Sequence, residues 1–250
     1  MHRRQALRLF AGLACCPICT PSSFAADAHW SYEGADGPAK WGDLDAANRA
    51  CSIGSQQSPI DIRDPIRAEL NPLKIIWDKR ADTIVNTGHT IQVNSGDSSV
   101  LEYGNTRYRL VQFHFHSPSE HRIAGKQFAM EVHFVHANVA GSLAVVGVLM
   151  TIGLSNSVFH KIVTTMPEKA GPAVQADPAI NPNGLLPAKR GYYRYSGSLT
   201  TPPCSETVDW LLLADGIEVA DADVGRFQQL YPMNARPVQK TDRRFVLRSA

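Results

Sequence analysis

The chain has 250 residues, 44% of them hydrophobic, with no internal repeat, low-complexity tract or linker-like run, so it can bury a sizeable core as a single domain. Its 25 Lys and Arg against 23 Asp and Glu leave a formal charge of +2. That near balance removes any electrostatic case for nucleic acid or an acidic membrane surface as partner, and no apolar run reaches the ~20 residues of a membrane span.

The first 25 residues stand apart. His2, Arg3, Arg4 and Arg8 make a basic start, Leu9 to Ile18 is apolar but too short to span a bilayer, and Ser23-Phe24-Ala25 suits signal-peptidase cleavage. Residues 1–25 are therefore expected to be a cleaved export signal, with the mature domain at 26–250. Arg3-Arg4 also admits twin-arginine export. Cys15 after Leu13-Ala14 has the look of a lipoprotein site, although Gly12 stands where such sites prefer a larger apolar residue. Cleavage leaves 22 basic against 23 acidic side chains, a charge of −1, so the basic character belongs to the precursor. Cys15, Cys16 and Cys19 leave with the signal. Cys51 and Cys204 remain as an even pair, and an exported protein is expected to join them in a disulfide.

From there strand patterns dominate. Leu73 to Trp77, Thr83 to Thr87, Thr90 to Asn94, Arg107 to His116, Phe128 to Ala137, Leu143 to Ile152 and Thr207 to Leu213 are rich in β-branched and aromatic residues, with Gly, Asn, Asp or Pro between them. Helical patterns are fewer: Asn156 to Thr165, and Asp221 to Leu230 with acids in its first turn and Pro232 after it. Met166 to Pro187, with five prolines and two glycines, reads as ordered loop. The balance predicts a predominantly β (α+β) single domain on a large, mostly antiparallel twisted central sheet with short peripheral helices.

Two of these strands carry the chemistry. Side chains alternate along a strand, so Gln112, His114 and His116 share one face while Phe113 and Phe115 take the other. On the second strand Glu131, His133 and Val135 share a face, and Val132, Phe134 and His136 point away. If the strands pair across a turn near Gly125, one His joins two. Three neutral imidazoles leave a divalent zinc its full charge and one open position, the composition of a catalytic site and not of a closed structural one. Gln112 and Glu131 lie where they can accept the second ring N–H of a ligand. The bland alternative is hydrogen-bonded core histidines, in a chain with nine. A cupin site shares the His-x-His-x-x-x-Glu run but expects Gly where this chain has Tyr108. The segment from Tyr195 to Cys204, with Thr200 and Thr201 before Pro202-Pro203, forms a stiff loop able to hold a hydroxyl in a fixed direction.

With both segments in view, the chain resembles the α-class carbonic anhydrases from about His29 to Arg236. The resemblance rests also on His29-Trp30-Ser31-Tyr32, Trp41, Gln57-Ser58-Pro59-Ile60-Asp61-Ile62, Asn86-Thr87-Gly88-His89, Leu143 to Gly147, Ser198 to Pro203, Trp210 and Asn234-Ala235-Arg236-Pro237. It implies a catalytic domain at 26–250 that hydrates CO2 to bicarbonate and a proton by attack of zinc-bound hydroxide, with weak ester hydrolysis as a side activity. By the same resemblance His114, His116 and His133 hold Zn2+, and Gln112, Glu131 and the carbonyl of Asn234 orient them. Thr200 and Glu120 aim the hydroxide, Thr200 donating to Glu120. Val135, Val145, Leu199, Thr201 and Trp210 line the substrate pocket, and His89 shuttles the proton. Cys51 and Cys204 match the disulfide of secreted members. Thr87 and Gln92 depart from the Asn common in animal members, which bears on the water chain to His89. His29, His121, His136 and His160 match no ligand position and are left as structural.

Periplasmic or secreted localisation follows from the export signal, with CO2 and bicarbonate as the only partners implied and homodimerisation left open. Two other readings compete: a carbonic-anhydrase-like zinc-binding protein without catalysis, and a periplasmic zinc store. The first would have lost a ligand, and the second would need neither Thr200 nor an apolar wall.

Overall fold

The spine of the molecule is the eleven-residue strand Thr106–His116. It pairs antiparallel with Ile91–Asn94 and Val100–Tyr103 on one side and with Met130–Ala137 on the other. The computed structural model describes residues 29–96 and 98–250, and the expected export signal lies outside them. Among the described residues thirteen strands join one sheet. Its central order is Ile91–Asn94, Thr106–His116, Met130–Ala137, Leu143–Ile152, Val208–Leu213 and Tyr192–Gly197. Most neighbours are antiparallel, as expected. Leu143–Ile152 runs parallel to Val208–Leu213, however, and Leu247–Ser249 runs parallel to Ile66–Ala68, so the sheet is mixed.

Both predicted helices form within two residues of their expected ends, and each has a local cause. Ser157–Thr165 starts at Asn156, whose side chain accepts from the N–H groups of Val158 and Phe159 at 3.0 Å. Asp221–Gln228 carries Asp221 and Asp223 in its first turn, where acids favour the helix dipole. The 166–187 stretch is mostly loop, interrupted by the two-residue strand Val174–Gln175 and a 3-10 turn at Pro182–Leu185. The strands Val100–Tyr103 and Tyr192–Gly197 were not anticipated. Gly191 and Gly197 bracket the second so closely that its Tyr run reads as loop.

A bulge decides which side chains reach the site. The register of Thr106–His116 against Met130–Ala137 shifts between Leu110 and Gln112, so Val111 is the extra residue. Before it, Tyr108 and Leu110 face the main core; after it, Phe113 and Phe115 do. The parity thus changes once, and Gln112, His114 and His116 are aimed at the opposite face. That face carries its own apolar cluster, including Val145, Tyr195, Trp210 and Leu212, with Val135 and Leu199 packed against it. The expected disulfide is formed: Cys51 and Cys204 have Cα atoms 5.0 Å apart and cluster with Tyr32 and Trp41.

Candidate metal centre

Cross-strand pairing brings the three histidines together. His114 lies opposite His133, and His116 opposite Glu131. One ring nitrogen from each of His114, His116 and His133 lies within 4.8 Å of the others.

The outer ring nitrogens are all committed. His114 Nδ1 donates to Gln112 Oε1, His116 Nδ1 to the main-chain carbonyl of Asn234, and His133 Nε2 to Glu131 Oε1, each at 2.8 Å. These acceptors can only accept, so they fix the tautomers and leave lone pairs on Nε2 of His114 and His116 and on Nδ1 of His133. His116 Nε2 is buried without a hydrogen-bond partner, which is costly unless something else binds it. Burial, with repulsion from His116 and His133, holds His114 well below the ordinary histidine range, and burial also lowers His116. Neutral rings, converging lone pairs and one orphaned nitrogen fit a cation such as zinc.

Glu131 is held as firmly as the ligands. Burial alone would raise its carboxyl, but the His121 and His133 rings and their hydrogen bonds hold it well below the usual range. Its Oε2 accepts the backbone N–H groups of Glu120 at 2.9 Å and His121 at 2.8 Å. His121, Glu131 and His133 also lie close enough together to hold an ion. Those Glu131 oxygens already accept four N–H groups, so this grouping braces the first centre and is no second one. Gly147 faces His133 across the next strand pair, and a Cβ there would come within 2.7 Å of Leu212 and 3.2 Å of Glu131 Oε1.

Glu120 is 1% exposed, which excludes a solvated turn carboxylate. Its Oε1 accepts from the backbone N–H of Arg236, while Oε2 is buried and has no partner. Oε2 is thus an open acceptor, and among the described residues no hydrogen bond from Thr200 reaches it. Thr200 itself is 5% exposed and follows Leu199, which packs with Val135, Val145 and Trp210. The Trp210 ring lies 4.8 Å from that of His133, so these four residues form an apolar wall beside the cluster, with Thr201 half-buried at its edge.

His89 sits half-buried after Gly88, whose φ of +87° makes the turn. Its ring stacks on Trp30 at 3.7 Å. Its carbonyl accepts from Asn234 Nδ2 at 3.0 Å, so one residue ties His89 and His116 together. Thr87 braces this turn, its hydroxyl accepting from the N–H groups of His89 and Thr90. Gln92 donates to Asn94. The histidines left as structural have other partners: His136 lies between Trp77 and Ala144, His160 beside Asp223, and His29 near Asp36.

Sequence reasoning passed over Arg236, Ser58 and Tyr195 as parts of this neighbourhood. Arg236 is 2% exposed and donates to Gln57 and to the carbonyls of Ser58 and Cys51. The available signal was that an arginine and a serine sat inside otherwise unexplained short blocks.

Residues 36–250 match the family model described as eukaryotic-type carbonic anhydrase. A protein of Nostoc sp. named carbonic anhydrase is 37% identical over 99% of this chain and 97% of its own length. One from Neisseria gonorrhoeae with the same name is 40% identical over 92% of each. Among solved structures, the α-carbonic anhydrase of Thermovibrio ammonificans in complex with the inhibitor sulfanilamide superposes with a TM-score of 0.86. It is 42% identical, covering 89% of this chain and 100% of that one.

Proposed function

Since the chain belongs to the eukaryotic-type, or α-class, carbonic anhydrase family, we propose that it is an exported, zinc-dependent enzyme of reversible CO2 hydration. Its site would be His114, His116, His133, Thr200, Glu120 and His89. The observation that carries this reading is the set of three ring nitrogens whose opposite nitrogens are all held by protein acceptors. Zinc bound there supplies Lewis acidity that brings water to a pKa of about 7, the value general for carbonic anhydrases, so a nucleophile exists near neutral pH.

The chain's own residues do the rest. Gln112, Asn234 and Glu131 keep the three imidazoles neutral, oriented and available as ligands. Glu120, one of whose oxygens takes the Arg236 N–H, accepts a hydrogen bond from the Thr200 hydroxyl on the other. That leaves the Thr200 oxygen free to accept from the nucleophile and orient it. Val135, Val145, Leu199 and Trp210 offer an uncharged, poorly hydrated substrate a surface without competing water, with Thr201 at the rim. His89 accepts the released proton and passes it to buffer, since an imidazole titrates near neutrality. Hydrolysis of activated esters follows as a weak side activity. Residues 1–25 are read as the export signal, and the Cys51–Cys204 disulfide supports an oxidising destination, periplasmic or secreted.

The test is stopped-flow CO2 hydration on protein starting at Ala26, with zinc measured on the same sample. Stoichiometric zinc and hydration far above the buffer blank are expected. Stoichiometric zinc without hydration would favour a silent zinc-binding member, and absence of zinc would remove His114, His116 and His133 as its ligands.

A further inference from the structure

Glu131 does not serve His133 alone. Its Oε1 also takes the N–H of His121 Nδ1 at 2.7 Å. The opposite nitrogen of His121 lies 2.6 Å from the Tyr195 hydroxyl, which in turn shares a 2.9 Å hydrogen bond with the Ser58 hydroxyl. Ser58 Oγ accepts the backbone N–H of Ser198 at 3.0 Å, and Ser198 Oγ accepts that of Ser58 at 2.9 Å. A continuous line therefore runs from the acceptor of one metal ligand to the backbone two residues before Thr200.

The line is dry and tightly packed. Ser58, His121, Glu131 and Ser198 are 0% exposed and Tyr195 is 2% exposed, so no solvent competes for these bonds. Trp210 donates to the Ser198 carbonyl at 3.0 Å, and its ring packs 4.7 Å from His121. Gly197 has no Cβ because one would strike Ser58, Tyr195 and Trp210. Past Gly197 the chain leaves the sheet with Leu199 only half-buried, so the ladder no longer sets its position. Hydrogen bonds, which weaken steeply with distance and angle, take over that task.

We propose that His121, Tyr195 and Ser58 form a positioning relay that holds the Thr200 loop in register with His133. The inference rests on the reading of His133 as a ligand and Thr200 as the orienting hydroxyl. The three residues touch neither substrate nor metal; they act through Glu131 at one end and Ser198 at the other.

The experiment compares Tyr195→Phe, Ser58→Ala and the double variant in protein starting at Ala26. It measures zinc stoichiometry, zinc release into a chelator, the visible spectrum of the cobalt-loaded proteins, and kcat/KM for CO2. Both single variants should keep full zinc, release it within about threefold of the wild-type rate and keep the cobalt spectrum, yet lose about tenfold to hundredfold in kcat/KM. The double variant should be no worse than the poorer single one, because both cut the same line. Losses that multiply, a single variant within about twofold of wild type, or early loss of zinc would each overturn the relay. Should Tyr195→Phe not fold, Ser58→Ala decides by the same criteria. A wild-type protein that binds zinc and hydrates no CO2 would instead sink the functional reading itself.

Discussion

The backbone N–H of Arg236 donates to Glu120 Oε1 at 2.8 Å, and the other oxygen of that buried carboxylate, 3.9 Å from His133 Nδ1, has no hydrogen-bond partner. The two residues are 116 apart in the chain. One oxygen is thereby anchored and the other is presented as an acceptor. Glu120→Gln keeps the shape but puts an NH2 donor on one of the two positions. The Thr200 hydroxyl would then meet a donor where it needs an acceptor. The expected result is a fall in kcat/KM of about a hundredfold with zinc content unchanged, read by stopped flow and metal analysis on one sample. Full activity would remove Glu120 from the mechanism.

Gln112 should report on the metal and not on turnover chemistry. It accepts from His114 Nδ1 at 2.8 Å and fixes that ring's tautomer. Gln112→Ala is expected to weaken zinc binding about tenfold to hundredfold, measured by competition with a chelator. The zinc-loaded variant should retain most of its hydration rate.

His89 is lowered from the ordinary histidine value by burial and by the nearby His29. A shuttle must be neutral to accept a proton, so turnover in poor buffer should rise with pH at a midpoint below about 6.5. His89→Ala should abolish that rise and slow turnover, and added imidazole should restore it. His29→Ala should move the wild-type midpoint upward. An unchanged rate in His89→Ala would mean that protons leave by another route.

His136 predicts an acid limit to stability. It is fully buried, donates from Nδ1 to the Ala144 carbonyl and accepts from Trp77, and burial lowers its pKa to about 4. The unfolded chain binds this proton near pH 6.5 and the folded chain only near 4. The associated stability is therefore intact above about 6.5 and lost as pH falls toward 4, on the order of 3 kcal/mol in all. In metal-free protein, His136→Gln should flatten the decline of unfolding free energy between those pH values in urea titrations. An equal slope in both proteins would contradict the assignment.

Much of the site was legible before any fold was known, because side-chain direction along a strand follows from local backbone geometry. Alternation alone put Gln112, His114 and His116 on one face and Glu131 with His133 on another, and the ladder that sets His114 against His133 kept them there. The export pair of cysteines and both helices were equally local inferences. Other features depend on how distant segments meet. The carbonyl that holds His116 belongs to Asn234, 118 residues away, and a carbonyl has no signature in the sequence. Nor does composition reveal the bulge at Val111, the parallel placement of Val208–Leu213 beside Leu143–Ile152, or the line from Glu131 through His121 and Tyr195 to Ser198. Those were decided by loop closure and by burial, which removes water and obliges every polar group to find its partner inside the protein. Strand alternation was enough to say which imidazoles can share an ion. Which atoms hold them there depends on segments far apart in the chain that meet only in the folded protein.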